Sequence, residues 1–404
     1  MSTDVLKAED AVYGGYVLAR NDGVIFIRGA IPGEVVQVRV QERKKDYAVA
    51  AVSEVVEPSE HRVEPPCAYF GRCGGCQLQY ASYEMQAAMK AHVLTDCLRR
   101  IGDIRSEPAP SLTGKPFGYR RRGQFKVSRT GEVGFYREGT REVVPVQGCP
   151  LMAEEINAAL GWLRPEWLLG AKEIHITSGD GLLACVKGKP FDEGLAERLV
   201  ESGFAGVAFE DGSYRGAGYV ALDLTGLRYT VSAWSFLQSN WELNRALVGL
   251  LLEKLNPAPG VRVLDLYAGA GNFSLPLMKA GDVRVTAVED NPHAIRDARR
   301  NVEQNGLRGY DILRGRAESV KLKGAYDLVV LDPPRPGLTN AALERVLALA
   351  PPRVLYISCN PSTLARDLKK LAPAYELDEV RMVDFFPNTY HVEAAAFLTK
   401  KEGR

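Results

Sequence analysis

From Val261 onward the chain alternates short apolar, β-branched runs with amphipathic helical stretches, and no other feature limits the possible folds so strongly. The runs are Val261–Tyr267, Val283–Val288, Tyr326–Leu331 and Val354–Ser358. Strands buried on both faces read as continuous apolar runs, and the helical stretches between them are long enough to carry the chain back over a sheet. The pattern predicts an α/β fold whose sheet is doubly wound and mostly parallel, with right-handed crossovers. In such a sheet chemistry gathers at the carboxyl ends of the strands, where the loops face a crevice.

All four of these strand ends carry reactive or ligand-binding residue types. The last run stops at Ser358-Cys359-Asn360-Pro361, where Asn-Pro breaks the strand and leaves Cys359 at the rim. A thiol there is a candidate nucleophile, because thiolate is a strong nucleophile near neutral pH. A buried structural cysteine is the competing reading of that residue alone. The first run leads into Asp265-Leu266-Tyr267-Ala268-Gly269-Ala270-Gly271-Asn272-Phe273. Gly269 and Gly271 let a ligand approach the backbone at a helix N-terminus, and Glu289, at the end of the second run, is placed to take two ribose hydroxyls. Ser274 replaces the third glycine of a dinucleotide fingerprint. The loop resembles that of S-adenosylmethionine methyltransferases rather than nicotinamide enzymes. The third run ends in Leu331-Asp332-Pro333-Pro334-Arg335-Pro336-Gly337, a loop stiffened by three prolines.

The first 235 residues have a different texture. Residues 9–58 alternate apolar and polar positions, as in Val36–Val40, between the turn signals Gly14-Gly15, Asn21-Asp22-Gly23 and Pro32-Gly33. With Gly33-Glu34 before a strand and Arg43-Lys44-Lys45 after it, this stretch resembles a TRAM domain, an OB-like β-barrel that binds RNA. Cys67, Cys73 and Cys76 follow in C-x5-C-x2-C spacing, with Cys149 far downstream. Four soft ligands suit zinc or an iron–sulfur cluster, and one C-x2-C pair with two separate cysteines favours [4Fe-4S]; unliganded thiols are the third reading. Cys97 and Cys185 read as core. Tyr119–Lys126 packs four cations and two aromatics into eight residues and is the best sequence candidate for an RNA-facing surface, a solvated sheet face being the alternative.

Seven cysteines among 404 residues, no long apolar span and no signal-peptide core indicate a cytoplasmic chain with no membrane partner. A net charge of +1 confines any polyanion contact to local patches. The length predicts several domains, expected at 1–60 (TRAM-like), 61–235 (central α+β with the cysteine motif) and 236–404 (Rossmann-like methyltransferase). A monomer is expected.

The four cysteines, Phe236-x-Gln238, Asp265–Phe273, Asp332-Pro-Pro-Arg335, Ser358-Cys359-Asn360-Pro361 and His391-x-Glu393 stand in the order found in RNA uracil-5 methyltransferases. The chain resembles that family over nearly its whole length, and the 23S rRNA branch most. The resemblance implies methyl transfer from S-adenosylmethionine to C5 of a uridine. Cys359 would attack C6 and Glu393 would remove the C5 proton. It further implies that Tyr267, Asn272 and Glu289 hold the cofactor, that Gln238 and Asp332 hold donor, base or both, and that Phe236 stacks on a flipped uracil. The alternatives are the same chemistry on the T-loop uridine of tRNA, and an inactive iron–sulfur RNA-binding protein. Arg316 departs from the acid or amide that many methyltransferases place near the adenine.

Overall fold

The computed structural model describes residues 3–402. The first strands, Thr3–Lys7 to Tyr47–Glu57, form a six-stranded sheet that is antiparallel except where Val24–Arg28 runs parallel to Tyr47–Glu57. Val36 and Val38 point inward and are fully buried, as their alternation predicts. Buried Glu34 fastens this sheet to the following segment through a two-pronged ion pair with Arg62, at 2.6 and 2.7 Å. A seven-stranded sheet then spans Arg122–Gly216, its core built on Phe125, Ile174, Ile176, Phe204 and Phe209.

The third large sheet carries the alternating pattern. Its strands are β1 (Arg262–Leu266), β2 (Arg284–Glu289), β3 (Tyr310–Arg314), β4 (Leu328–Leu331), β5 (Arg353–Ser358), β6 (Tyr375–Val383) and β7 (Glu393–Lys400). The spatial order is β3-β2-β1-β4-β5-β7-β6, with only β7 running against its neighbours. Both faces are covered: Leu264, Leu266, Val354 and Tyr356 enter one apolar core, while Val263, Leu355 and Ile357 enter the other. Two elements join this layer from earlier in the chain. Helix Tyr83–Arg100 packs in the first core, and strand Ala109–Leu112 pairs with the outer edge of β6.

The sequence reading missed β3. None of its five residues is fully buried, so it lacks the apolar run that marks β1, β4 and β5. Among the described residues no helix is long and apolar enough to cross a membrane.

Candidate active site

Strand order reverses between β1 and β4, and the loops after the parallel strands β1, β2, β4 and β5 all leave from the same edge of the sheet there. The turn after β5 is fixed by its own side chains. The Ser358 hydroxyl accepts from Asn360 N at 3.2 Å, and Asn360 Oδ1 accepts from Ser362 N at 3.0 Å, capping helix Pro361–Leu371 with Pro361 in its first turn. Cys359 is held between these two residues, half-buried. Because β7 is antiparallel to β5, with Ala394 opposite Ser358, the next residues outward on the two strands are Glu393 and Cys359. Thirty-four positions apart in sequence, they finish side by side at one rim.

Asp332, after β4, completes the group. Burial pushes the Cys359 thiol up to about 11, with Glu393 and Asp332 adding to the rise and the Arg335 guanidinium opposing it. Burial likewise pushes the Glu393 carboxyl up to about 8; Asp332 adds and Arg335 opposes. Asn360 Nδ2 and the Thr363 hydroxyl donate to the Arg335 carbonyl at 3.3 and 3.4 Å, tying the proline loop to the cysteine turn.

The glycine loop lies beside this group. Tyr267, Gly269 and Gly271 all take positive φ, and space beside Gly269 is open. Glu289 accepts from Gly269 N at 2.8 Å and from Asn291 N at 2.8 Å, so the acid at the end of β2 also shapes the loop after β1. Asp265 is buried with neither oxygen hydrogen-bonded, and burial pushes it up to about 7. Burial and the charge of Asp265 raise Asp332 as well. Gln238 is buried with its Oε1 unpartnered, while Phe236 two residues earlier is 68% exposed. A cradle of half-compensated carboxylates and an orphaned amide oxygen suits a cationic ligand with hydrogen-bond donors. The Asn272 side chain is engaged elsewhere, in a reciprocal amide pair with Asn244 at 2.7 and 2.9 Å. Arg316 is exposed.

Comparison with known proteins decides the family. Residues 220–401 match the family model described as tRNA (Uracil-5-)-methyltransferase. A protein of Aquifex aeolicus described as an uncharacterized RNA methyltransferase is 36% identical, covering 98% of each chain. The 23S rRNA (uracil(1939)-C(5))-methyltransferase RlmD of a Shewanella species is 33% identical over 95% of this chain and 93% of its own. The chain belongs to the RNA uracil-5 methyltransferase family. Its fold matches the crystal structure of the Pyrococcus abyssi tRNA (uracil-54, C5)-methyltransferase bound to S-adenosyl-L-homocysteine, with TM-score 0.79 and 27% identity over 98% of this chain and 99% of that one.

In this uracil-5 methyltransferase Cys67, Cys73, Cys76 and Cys149 line a single cavity of about 40 Å³, with Arg120 and Gln79 among its walls. Gly74 and Gly75 let the backbone wrap it: a Cβ on Gly74 would stand 3.0 Å from the Tyr136 carbonyl, and one on Gly75 would stand 3.4 Å from Cys73 Sγ. Among the described residues no three His, Cys, Asp or Glu donors meet closely enough to hold one metal ion. Four thiols lining one cavity are the soft donor set that thiolate-bound metal groups use.

The basic stretch Tyr119–Lys126 differs from its sequence reading. Arg122 is buried and donates to Thr177 Oγ1 at 2.8 Å and to the carbonyls of Ser232 and Ser235. Arg120 lies between the Tyr119 and Phe386 rings, Arg121 pairs with Glu155 and Lys126 pairs with Glu173. Much of the local charge therefore joins sheets rather than facing a polyanion. Sequence reasoning also passed over Lys90 and Asp384, a buried ion pair at 2.7 Å beside Glu393. A signal was present: Gln86 and Lys90, four residues apart, interrupt the apolar stripe that holds Met89, Val93 and Leu94.

Proposed function

We propose that this enzyme methylates C5 of a uridine in 23S rRNA by way of a covalent bond between Cys359 and C6 of the base. The observation that carries the reading is the pairing of Cys359 with Glu393 across the ends of β5 and β7. C5 of uracil is a weak nucleophile. Addition of the Cys359 thiolate at C6 moves the ring electrons onto C5 as an enolate. S-adenosylmethionine supplies the methyl group from its sulfonium, which the carboxylates Asp265, Asp332 and Glu289 suit in charge. C5 then carries both methyl and hydrogen. Glu393 takes that proton, the C5–C6 double bond re-forms, and the thiolate leaves. Phe236, an exposed ring two residues before Gln238, is the side chain that would stack on an extruded base. Gln238 offers its free Oε1 to donor or base, and Tyr267, Gly269, Gly271 and Asn272 form the loop against which the donor lies.

We read residues 1–60 and 61–235 as RNA-binding and cysteine-bearing units serving the catalytic unit 236–404. Cys67, Cys73, Cys76 and Cys149 would hold a [4Fe-4S] cluster, whose contribution is to order the surrounding segments. The rRNA assignment follows the relatives at 33% identity, and tRNA is its alternative.

Mutants of the two rim residues must fail differently. Cys359→Ala should form no protein–RNA adduct. Glu393→Gln should attack and methylate, then stall as a heat-resistant shifted band on a denaturing gel. RNA containing 5-fluorouridine should trap the wild type in the same way, because fluorine cannot leave as a cation. Normal turnover by Glu393→Gln, or a trapped band from Cys359→Ala, overturns the role assignment. Mass mapping of 5-methyluridine in rRNA and tRNA from a deletion strain decides the substrate.

A further inference from the structure

The connection that delivers Glu393 is unusual for a loop. Connecting segments normally run over the surface, yet between β6 and β7 Asp384, Phe385, Pro387, Asn388, Thr389 and Val392 are all buried. The polar groups of this segment meet partners from residues 77–119, far away in sequence. The Asn388 carbonyl accepts from Gln77 N at 2.9 Å and from Leu78 N at 3.1 Å. Asn388 N donates to Gln86 Oε1 at 2.7 Å, and Gln86 Nε2 returns a bond to Asn388 Oδ1 at 3.1 Å. Asn388 Nδ2 reaches the Pro116 carbonyl at 2.7 Å. Lys90 Nζ holds both Asp384 Oδ1 at 2.7 Å and the Phe386 carbonyl at 2.9 Å. The Tyr119 hydroxyl donates to the Pro387 carbonyl at 3.0 Å. Asn388 itself stands at φ +67, a left-handed position tolerable for asparagine and held here by four bonded partners.

These bonds hold the segment that leads into Glu393, and none of them ends on the turn that carries Cys359. Glu393 opens β7 directly after the clamped segment, opposite Val383 at the end of β6. Cys359 is set by β5 and by the Ser358 and Asn360 turn, to which none of these partners bonds. Gln77 and Leu78 follow Cys76 immediately, and Gln77 Nε2 donates back to the Gly74 carbonyl at 2.9 Å. The turn that carries the cysteines is thus continuous with the seat of the base.

We propose that the interlock of Gln86 with Asn388 is a positioning device for Glu393, governing proton removal from C5 while leaving attack by Cys359 untouched. The proposal rests on the roles given above to these two residues. Loosening the interlock lets the base drift from the C5 proton, so the enzyme should methylate and then release slowly. A misplacement of about 1 Å lowers a rate by up to roughly 100-fold.

The test uses full-length Gln86→Leu and Asn388→Gly, the second keeping the positive φ while deleting the side-chain clamp. Each is given S-adenosylmethionine and an unmodified 23S rRNA or tRNA transcript, whichever the wild type methylates, tritiated at uridine C5. Expected are first-turnover methyl incorporation near the wild-type rate, tritium release slowed about tenfold or more, and a protein–RNA band like that of Glu393→Gln. Amide exchange should rise in 384–392 and stay unchanged in 353–361. Equal loss of methyl incorporation and tritium release without an adduct band overturns the proposal, and so does wild-type behaviour of both variants. A wild type that fails to trap on 5-fluorouridine RNA removes the reaction reading and the clamp together; a wild type that traps, with variants that resolve normally, removes the clamp alone.

Discussion

Cys359 and Glu393 each sit where burial makes the charged form unfavourable, and the proposed reaction needs each of them charged. The thiol, pushed up to about 11, is almost entirely protonated at neutral pH, and attack needs the thiolate. Below that value the thiolate fraction rises about tenfold per pH unit, so trapping on 5-fluorouridine RNA should accelerate from about pH 7 to about pH 10. Glu393, pushed up to about 8, is a base only when deprotonated. Adduct resolution in the wild type should therefore rise with pH and level off above about 8, and Glu393→Gln should lack that limb. Arg335 opposes the rise of both groups. In Arg335→Met the thiol moves further up, and trapping at a fixed neutral pH should slow. Quench-flow trapping across pH checks the two predictions on attack, and tritium release from uridine C5 across pH checks the one on resolution; a flat profile for wild-type attack contradicts the thiol assignment.

At the level of elements, the site depends on contacts that turn a polar strip into scaffold. Buried Asp297, on helix Pro292–Gln304, accepts from Ser232 N at 2.8 Å, from Ser232 Oγ at 2.7 Å and from Ser235 Oγ. Arg122 holds the Ser232 and Ser235 carbonyls from the other side. Together they fix the turn that presents Phe236 and Gln238. Asp297→Ala removes the acceptor shared by three buried donors, of which the two hydroxyls keep only each other at 3.1 Å, and leaves Arg122 without its nearby countercharge, at about 2–4 kcal/mol of stability. Urea denaturation should show that loss, and S-adenosylmethionine affinity should fall with it through Gln238. A variant as stable as the wild type with weakened binding would separate the two effects. Replacing exposed Phe236 by Ala should weaken RNA binding with little change in stability.

Across the whole molecule, the cysteine cavity lies in the middle region rather than in the catalytic sheet. Helix Tyr83–Arg100 and strand Ala109–Leu112 leave that region to pack with the catalytic layers, so the cysteine-bearing segment and the base-bearing segment share a core. Protein purified without air should be brown and carry about four irons per chain. Cys67→Ser or Cys149→Ser should lose the colour. Cys97→Ser should keep it, because that thiol is buried in helix Tyr83–Arg100, within 3.5 Å of the Ser362 hydroxyl. Stoichiometric zinc with no visible absorption would overturn the cluster assignment.

By itself the sequence determined the doubly wound sheet, the glycine loop, the strand ends bearing Cys359 and Asp332, and the turns around them. Each of these is local: a strand, its loop and its cap lie within about ten residues, so periodicity and turn chemistry suffice to read them. Helix Tyr83–Arg100 is local in the same sense, with Ser82 capping it and Met89, Val93 and Leu94 on its buried stripe. Tertiary structure alone decided the rest. That β7 inserts antiparallel between β5 and β6, and so sets Glu393 against Cys359, depends on pairing between distant strands that no local pattern encodes. That Arg120 and Arg122 are interior, and that Gln86 and Lys90 hold the segment leading to Glu393, depends on which buried partners are available. A charged or amide side chain looks the same in sequence whether water or a folded neighbour satisfies it, and only the packed chain supplies the neighbour.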